Sequence, residues 1–329
     1  MITDIHCHFV PERYFAFIEA EPAFAVRRRP ADGEHVEVSV GPVAFGLNPT
    51  FFDVQRQIVR MDGLGIDRTV LSLATPLINY AVPGPLAAAA ARLFNDELAA
   101  VVDRHPDRFA GWAFLPMQDP VAAAAELERA VTELGLWGGH LGSNVGGRYL
   151  DAPEFAPIFE AACALDVPLF VHPADPPGRE RTGRYELTVV AGYLFDTTIN
   201  IFNMVFGGCL DRHPGLRLCC AHAGGYALLL RQRMQREVDT NPSLARAIRA
   251  PIGDYLRRLY FDTVCFEPGY LRYAEELAAV GHFVLGSDGP FPLGEPDPVG
   301  FIRASFGTGE RGAAILHRNA ETLFGAHHR

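Results

Sequence analysis

The sequence predicts an α/β fold in which eight parallel strands close into a (β/α)8 TIM barrel, with a small lobe inserted near the N-terminus. Eight short apolar segments alternate with longer amphipathic or alanine-rich segments, which is typical of a parallel sheet with helical crossovers. Eight such units favour a closed barrel over an open sheet. Several of the predicted strands end in His or Asp, as expected because the functional residues of such barrels lie at the C-terminal ends of the strands.

The predicted strands are short apolar runs, and the segments between them have helical patterns. The strands are Ile2–His6, Thr69–Leu73, Phe109–Leu115, Gly138–Gly142, Leu169–His172, Leu216–His222, Leu259–Asp262 and Phe283–Asp288. The helices are Phe52–Leu64, Pro85–His105, Val121–Leu134, Ala152–Leu165, Leu187–His213, Gly224–Thr240, Pro268–Ala279, Asp297–Phe306 and Arg311–Leu323. A frayed tail is expected at 327–329.

The segment 9–51 is too long and too rich in proline for an ordinary strand-to-helix connection. Alternation of apolar and polar residues across 36–40 predicts a β-strand within them. We therefore expect 9–51 to form an inserted lobe with a small hairpin beside the barrel mouth. The whole chain, 1–329, is expected to be a single domain.

Composition excludes several classes of function. The formal net charge of −10 disfavours nucleic acid as a partner. The N-terminus lacks the pattern of a signal peptide, and polar residues interrupt the apolar runs, so no membrane partner is expected. The six cysteines show no CxxC spacing and indicate a reducing compartment. We expect a cytoplasmic protein that acts on a small molecule.

The chain contains no lysine, because all 29 of its basic residues are arginine. A Schiff-base lysine, a lysine general base and a carboxylated lysine that bridges two metal ions are therefore excluded.

Histidines at predicted strand ends indicate a metal site. His6 and His8 are two positions apart at the end of the first strand, so both imidazoles point to the same side. His172, His222 and Asp288 end three other predicted strands, and such ends converge at one mouth of a barrel. Nitrogen and carboxylate ligands of this kind suit zinc or a similar divalent ion.

A catalytic site keeps one coordination position open for water or substrate. We assign His6, His8, His172 and Asp288 as ligands and His222 as the residue that transfers protons. Ala-Gly-Gly follows His222 and permits close approach of a substrate, and imidazole titrates near neutral pH. The alternative is that His222 is a fifth ligand.

These motifs together resemble the amidohydrolase-related superfamily, and within it the amidohydrolase 2 branch that 2-amino-3-carboxymuconate-6-semialdehyde decarboxylase typifies. The resemblance extends over nearly the whole chain. It also includes the segments 61–66, 206–214 and 319–324.

The resemblance implies a single divalent ion, zinc or sometimes manganese, and no organic cofactor. It implies His222 as the catalytic acid and base, with Asp288 beside it. It also matches Phe291 to a phenylalanine of the substrate pocket. The absence of lysine agrees with this single-metal branch.

The sequence departs from the decarboxylase pattern at two substrate-binding positions. Asn48 stands where an arginine would hold a substrate carboxylate, and Glu186 stands where a pocket tryptophan is found. Arg231 or Arg233 could supply a cation across the interface of a homodimer, as the family suggests; the alternative is that both are exposed helix residues without a role in the site. His140 ends the fourth predicted strand and is a further candidate for substrate contact.

The sequence thus predicts a metal-dependent decarboxylase of a small unsaturated or aromatic carboxylic acid. The main alternative is a metal-dependent hydrolase of a lactone, amide or other carbonyl substrate on the same site. A non-catalytic metal-binding protein is the minor alternative.

Overall fold

The computed structural model describes residues 1–41, 43–279 and 281–325. Within them, eight parallel strands form one sheet in the order of the chain. They are β1 (Thr3–Phe9), β2 (Arg68–Leu73), β3 (Phe109–Phe114), β4 (Gly138–Gly142), β5 (Leu169–His172), β6 (Leu218–Cys220), β7 (Tyr260–Asp262) and β8 (Phe283–Val284). The predicted tail at 327–329 lies outside the described residues.

Hydrogen bonds join β1 to the chain that follows β8. The Ile5 amide donates to the Leu285 carbonyl at 2.9 Å, and the His8 amide donates to the Gly289 carbonyl at 2.7 Å. The Asp288 amide donates back to the His6 carbonyl at 2.8 Å. These bonds bring the two edges of the sheet together, so the predicted barrel fold is confirmed. β8 is shorter than predicted because the chain turns out of the strand, and Asp288 has a left-handed φ of 57°.

Aromatic side chains fill the barrel below the strand ends. The Trp112 ring stacks on Phe170 at 5.5 Å and lies 4.9 Å from Phe324 of the C-terminal helix. The Trp112 indole donates a hydrogen bond to the Ile5 carbonyl at 2.8 Å. Phe170 in turn lies 4.9 Å from the His6 ring. The packed interior therefore forms the floor under the C-terminal strand ends.

Helices cover the barrel, and several begin where an Asp, Asn or Glu precedes a proline. Such a residue caps the first amides while proline fits the first helical position, as at Asp119-Pro120 and Asp297-Pro298. The longer helices are Val54–Leu64, Gly84–Arg104, Pro120–Thr132, Ala156–Ala164, Tyr193–Phe206, Ala227–Thr240, Pro268–Leu277 and Pro298–Phe306. The shorter ones are Arg179–Thr182, Cys209–Arg212, Pro242–Ala247, Ile252–Leu256, Glu310–Ala313 and Asn319–Phe324.

Between β1 and β2 the chain forms a helix, Glu12–Ala20, and a separate antiparallel sheet. The sheet strands are Val26–Pro30, Val36–Val40 and Val43–Leu47. The sheet therefore has one strand more than the predicted hairpin. Its third strand faces the barrel mouth, where Phe45 reaches the cavity described below.

One continuous helical stretch, Thr188–Phe206, is long and apolar enough to cross a membrane by length and composition alone. Half of the stretch is buried in the fold, and Asp196 within it is fully buried in a hydrogen-bond network. Helices in the core of a folded domain share this length and composition, so the stretch is weak evidence of a membrane segment.

Candidate metal centre and active site

β1 places His6 and His8 on the inner side of the barrel, as the spacing of two residues requires. Both side chains are fully buried, and their Nε2 atoms lie 3.2 Å apart. The Asp288 Oδ1 lies 3.1 Å from His6 Nε2 and 3.0 Å from His8 Nε2. Two imidazoles and one carboxylate therefore converge on a single point.

His172, the last residue of β5, completes this group. Its ring centre lies 5.1 Å from that of His6 and 5.5 Å from that of His8. One potential ligand atom from each of His6, His172, His222 and Asp288 lies within 4.8 Å of the others. Distance alone therefore leaves His222 within reach of an ion shared with His6, His172 and Asp288. His8 is not part of this group, but its Nε2 lies 3.0 Å from Asp288 Oδ1.

The hydrogen bonds at Nδ1 distinguish the three predicted ligand histidines from His222. His6 Nδ1 donates to the Asp262 carboxylate at 2.6 Å, and His8 Nδ1 faces the Leu73 carbonyl at 3.2 Å. His172 Nδ1 donates to the Pro173 carbonyl at 2.9 Å. Because carbonyl and carboxylate oxygens only accept, a proton on each Nδ1 satisfies these bonds, and each Nε2 can then present a lone pair to a cation.

His222 has the opposite arrangement. Its Nδ1 is buried and has no hydrogen-bond partner among the described residues, whereas its Nε2 lies 3.5 Å from Asp288 Oδ2. An acceptor beside Nε2 and none beside Nδ1 favour the tautomer with the proton on Nε2. His222 is therefore arranged as a proton donor, while the other three histidines are arranged as ligands.

Asp262 connects the ligands to His222, although it was not among the site residues predicted from the sequence. Its carboxylate accepts a hydrogen bond from His6 and also from the His222 amide at 2.9 Å and the Ala223 amide at 2.8 Å. These bonds hold a turn in which His222 and Ala223 have left-handed φ angles of 54° and 52°. Such strain concentrates at functional sites. Its position as the last residue of a predicted strand could have identified it.

Electrostatics favour an ionised Asp288, a neutral His172 and a His6 that stays protonated at neutral pH until a cation displaces the proton. Burial alone would raise the pKa of Asp288, but the charge of His6 and hydrogen bonds from His222, His6 and His8 hold it well below its ordinary value. Burial, together with the neighbouring histidines, lowers the pKa of His172 well below its ordinary value. Burial opposes protonation of His6 as well, but Asp288 and Asp262 raise its pKa to about 10. A cation at His6 therefore competes with a proton.

The donor set fits one divalent ion. Three Nε2 lone pairs and one carboxylate oxygen are ligands suited to zinc and to manganese. The hydrogen bond from each Nδ1 to an oxygen is the outer support that such ligands normally have. His6, His8, His172 and Asp288 would hold the ion, and His222 would remain beside it.

A cavity of about 830 Å3 opens above these residues. His172, His222 and Asp288 line its inner end. Two of the predicted substrate-contact residues also line it, Phe291 and Glu186. Phe291 packs edge-on against His8, with ring centres 5.1 Å apart.

Three other predicted substrate-contact residues do not line the cavity. The Asn48 side chain accepts from the Thr50 amide and donates to the Pro290 carbonyl at 2.8 Å, so it holds the backbone there. His140 is fully buried beneath the site and stacks on Phe170 at 5.7 Å. Arg233 is exposed on the helix after His222, so reaching a site would require a second chain.

A (β/α)8 barrel with this ligand set at its C-terminal strand ends defines a metal-dependent enzyme. The family model described as Amidohydrolase matches residues 3–326, and the chain belongs to this family.

Its relatives include several decarboxylases. The chain is 35% identical over 254 residues to the 2-amino-3-carboxymuconate-6-semialdehyde decarboxylase of Dictyostelium discoideum, covering 77% of this chain and 70% of the relative. It is 30% identical over 296 residues to the gamma-resorcylate decarboxylase of Rhodococcus jostii strain RHA1, covering 84% and 89%. The dihydroxybenzoic acid decarboxylase of Polaromonas sp. JS666, solved with manganese and 2-nitroresorcinol, has a TM-score of 0.81 and 25% identity over 98% of this chain and 96% of that one.

Proposed function

We propose that this protein is a metal-dependent decarboxylase of an aromatic or unsaturated carboxylic acid. The observation that carries the proposal is a contrast at Nδ1. In the three predicted ligand histidines Nδ1 faces an oxygen acceptor, which leaves Nε2 to bind a cation, whereas His222 Nδ1 has no partner among the described residues and His222 Nε2 lies 3.5 Å from Asp288 Oδ2. The names of the relatives support carbon dioxide release as the reaction and aromatic acids as the substrates.

His6, His8, His172 and Asp288 would hold the ion, which when bound would supply a positive charge that orients the substrate and stabilises negative charge on its oxygens. His222, protonated on both ring nitrogens, donates its Nε2 proton to the carbon that bears the carboxylate and is left as a neutral imidazole with its remaining proton on Nδ1. The ring electrons form the new C–H bond, and ring conjugation is interrupted. The electron pair of the C–CO2 bond then restores conjugation as carbon dioxide leaves. Asp288 Oδ2, 3.5 Å from His222 Nε2, stabilises the protonated imidazole before transfer.

The competing reaction is hydrolysis of a carbonyl substrate by the same residues. A panel of 2-hydroxybenzoates, unsaturated carboxylates and lactones, followed in parallel for carbon dioxide and for hydrolysis products, separates the two reactions. We expect carbon dioxide from at least one acid and no turnover of lactones. Hydrolysis without carbon dioxide from any acid would reject the proposal.

The identity of the ion, the oligomeric state and the cellular location are further parts of the proposal. We propose zinc or manganese as the single ion, and elemental analysis should give about one ion per chain. We also propose a homodimer in the cytoplasm. Sedimentation at several protein concentrations tests the dimer.

A further inference from the structure

The cavity above the metal centre is large relative to a simple benzoate. It measures about 830 Å3, whereas a cavity of about 150 Å3 is enough to hold a benzene ring. Its size is in the upper part of the range found for sites that enclose drug-sized ligands. An unsubstituted aromatic acid would therefore leave most of it unfilled.

The lining of the cavity is mainly apolar from the metal centre outward. Phe291 and Val264 lie on the barrel side, and Phe45 of the inserted lobe contributes from the opposite element. Four lining residues are large apolar side chains exposed at the mouth: Val190, Leu229, Phe266 and Leu293, between 48% and 53% exposed. Apolar side chains that are both exposed and continuous with a catalytic cavity indicate an apolar ligand segment that covers them.

The charges in the lining are negative. Glu186 and Glu267 line the cavity in addition to Asp288, and no arginine lines it among the described residues. Arg179 lies near enough to affect Tyr193, but its guanidinium is paired with Asp175 at 3.2 Å. The bound metal ion would therefore be the main cation available to a substrate carboxylate. A second carboxylate on the substrate would face like charges without a partner.

We infer that the substrate is an aromatic monocarboxylic acid with an extended apolar substituent opposite its carboxylate. This inference rests on the proposed function, because it places the carboxylate at the metal centre. The ring lies near Phe291, and the substituent runs outward between Val190, Leu229 and Phe266. Specificity then comes from burial of apolar surface at the mouth rather than from an ion pair.

The first test uses binding, which does not depend on turnover. The probes are 2-nitrophenol with hydrogen, n-propyl or carboxylate para to the nitro group, titrated into the metal-loaded enzyme. Each buried methylene improves affinity about fourfold, so we expect the propyl compound to bind at least tenfold more tightly than the parent. The carboxylate compound should bind at least tenfold more weakly. Equal affinities, or tighter binding of the carboxylate compound, would overturn the inference.

The second test compares kcat/KM for 2-hydroxybenzoate and its 4-propyl derivative. Leu229→Gln should lower the preference for the propyl compound at least threefold. Val121→Gln is the matched control, since Val121 is 72% exposed and lies outside the lining. Carbon dioxide from both acids without a propyl preference would refute the inference and leave the proposed function intact. Tight binding of the propyl probe without carbon dioxide from any acid would reject the proposed reaction and retain the ligand class.

Discussion

Replacement of Asp262 by asparagine tests how the ligands are supported. Asp262 is fully buried, and each of its oxygens accepts two hydrogen bonds. Oδ2 accepts from His6 Nδ1 and the His222 amide, and Oδ1 accepts from the amides of Ala223 and Val264. The NH2 group of asparagine is a hydrogen-bond donor. In place of either oxygen it would leave the two N–H groups that now bond to that oxygen without an acceptor.

The magnitude follows from these contacts. Two lost buried hydrogen bonds at about 1–3 kcal/mol each give a loss of unfolding free energy of about 2–6 kcal/mol. If His6 instead reverses its tautomer to accept from the new amide, its Nε2 becomes protonated and no longer binds a cation. Loss of such support typically lowers metal affinity about 10- to 100-fold. We expect Asp262→Asn to lower the metal affinity, measured by metal titration, and to lower the unfolding free energy in urea, by the lower end of the range if His6 reverses its tautomer and only the bond to the His222 amide is lost.

Asp196→Asn provides the matched control. Asp196 is also fully buried and accepts from Ser143, Asn144 and Tyr149, but it makes no hydrogen bond to an imidazole. This variant should lose stability and keep its metal affinity. A folded Asp262→Asn protein with native metal affinity would refute the proposed support of His6 by Asp262.

Two further predictions concern the surroundings of the site. Burial and the positive charge of the neighbouring His8 lower the pKa of His140 well below its ordinary value of about 6.5. As the pH falls, His140 is therefore protonated in the unfolded chain but not in the folded one. The contribution of His140 to the stability of the metal-free protein should therefore be complete above about pH 6.5 and decrease below it. His140→Leu should reduce the slope of unfolding free energy against pH below about 6.5 by up to about 1.4 kcal/mol per pH unit in urea unfolding; an unchanged slope would contradict the assignment. Gly225→Ala should cost about 3 kcal/mol or more, because the new Cβ would lie 2.2 Å from the Leu194 carbonyl at a φ of +63°. Gly147→Ala, with φ +81° and no atom within 4 Å, should cost only about 1 kcal/mol of backbone strain; equal losses of Tm in the two variants would contradict this explanation.

The sequence predicted the barrel because strand identity depends on local pattern. The predicted Gly138–Gly142 and Leu169–His172 are the observed β4 and β5 to the residue. The end of β8 was misplaced, since the departure of the chain at Asp288 is fixed by bonds to β1 far away in sequence. The helix predicted at Leu187–His213 is interrupted, because Gly208 has a left-handed φ of 68°.

The convergence of His6, His8, His172, His222 and Asp288 could also be predicted, because barrel topology brings strand ends together regardless of sequence distance. Residues that do not end strands were harder to place. The resemblance to the family placed Asn48 in the substrate pocket, whereas its side-chain amide donates a hydrogen bond to the backbone of a neighbouring loop. No local pattern shows which loop residues face a cavity, since that depends on how separate loops pack.

The most direct test compares release of 13CO2 from carboxyl-labelled substrate by the native enzyme and by His222→Asn at equal metal occupancy. We expect the variant to retain about one ion per chain and to lose at least about 100-fold in kcat, as is usual on removal of a general acid. Chelation should abolish release by the native enzyme, and zinc or manganese should restore it. Loss of the ion from His222→Asn would make His222 a ligand, and undiminished 13CO2 release by the metal-loaded variant would refute its role as the proton donor.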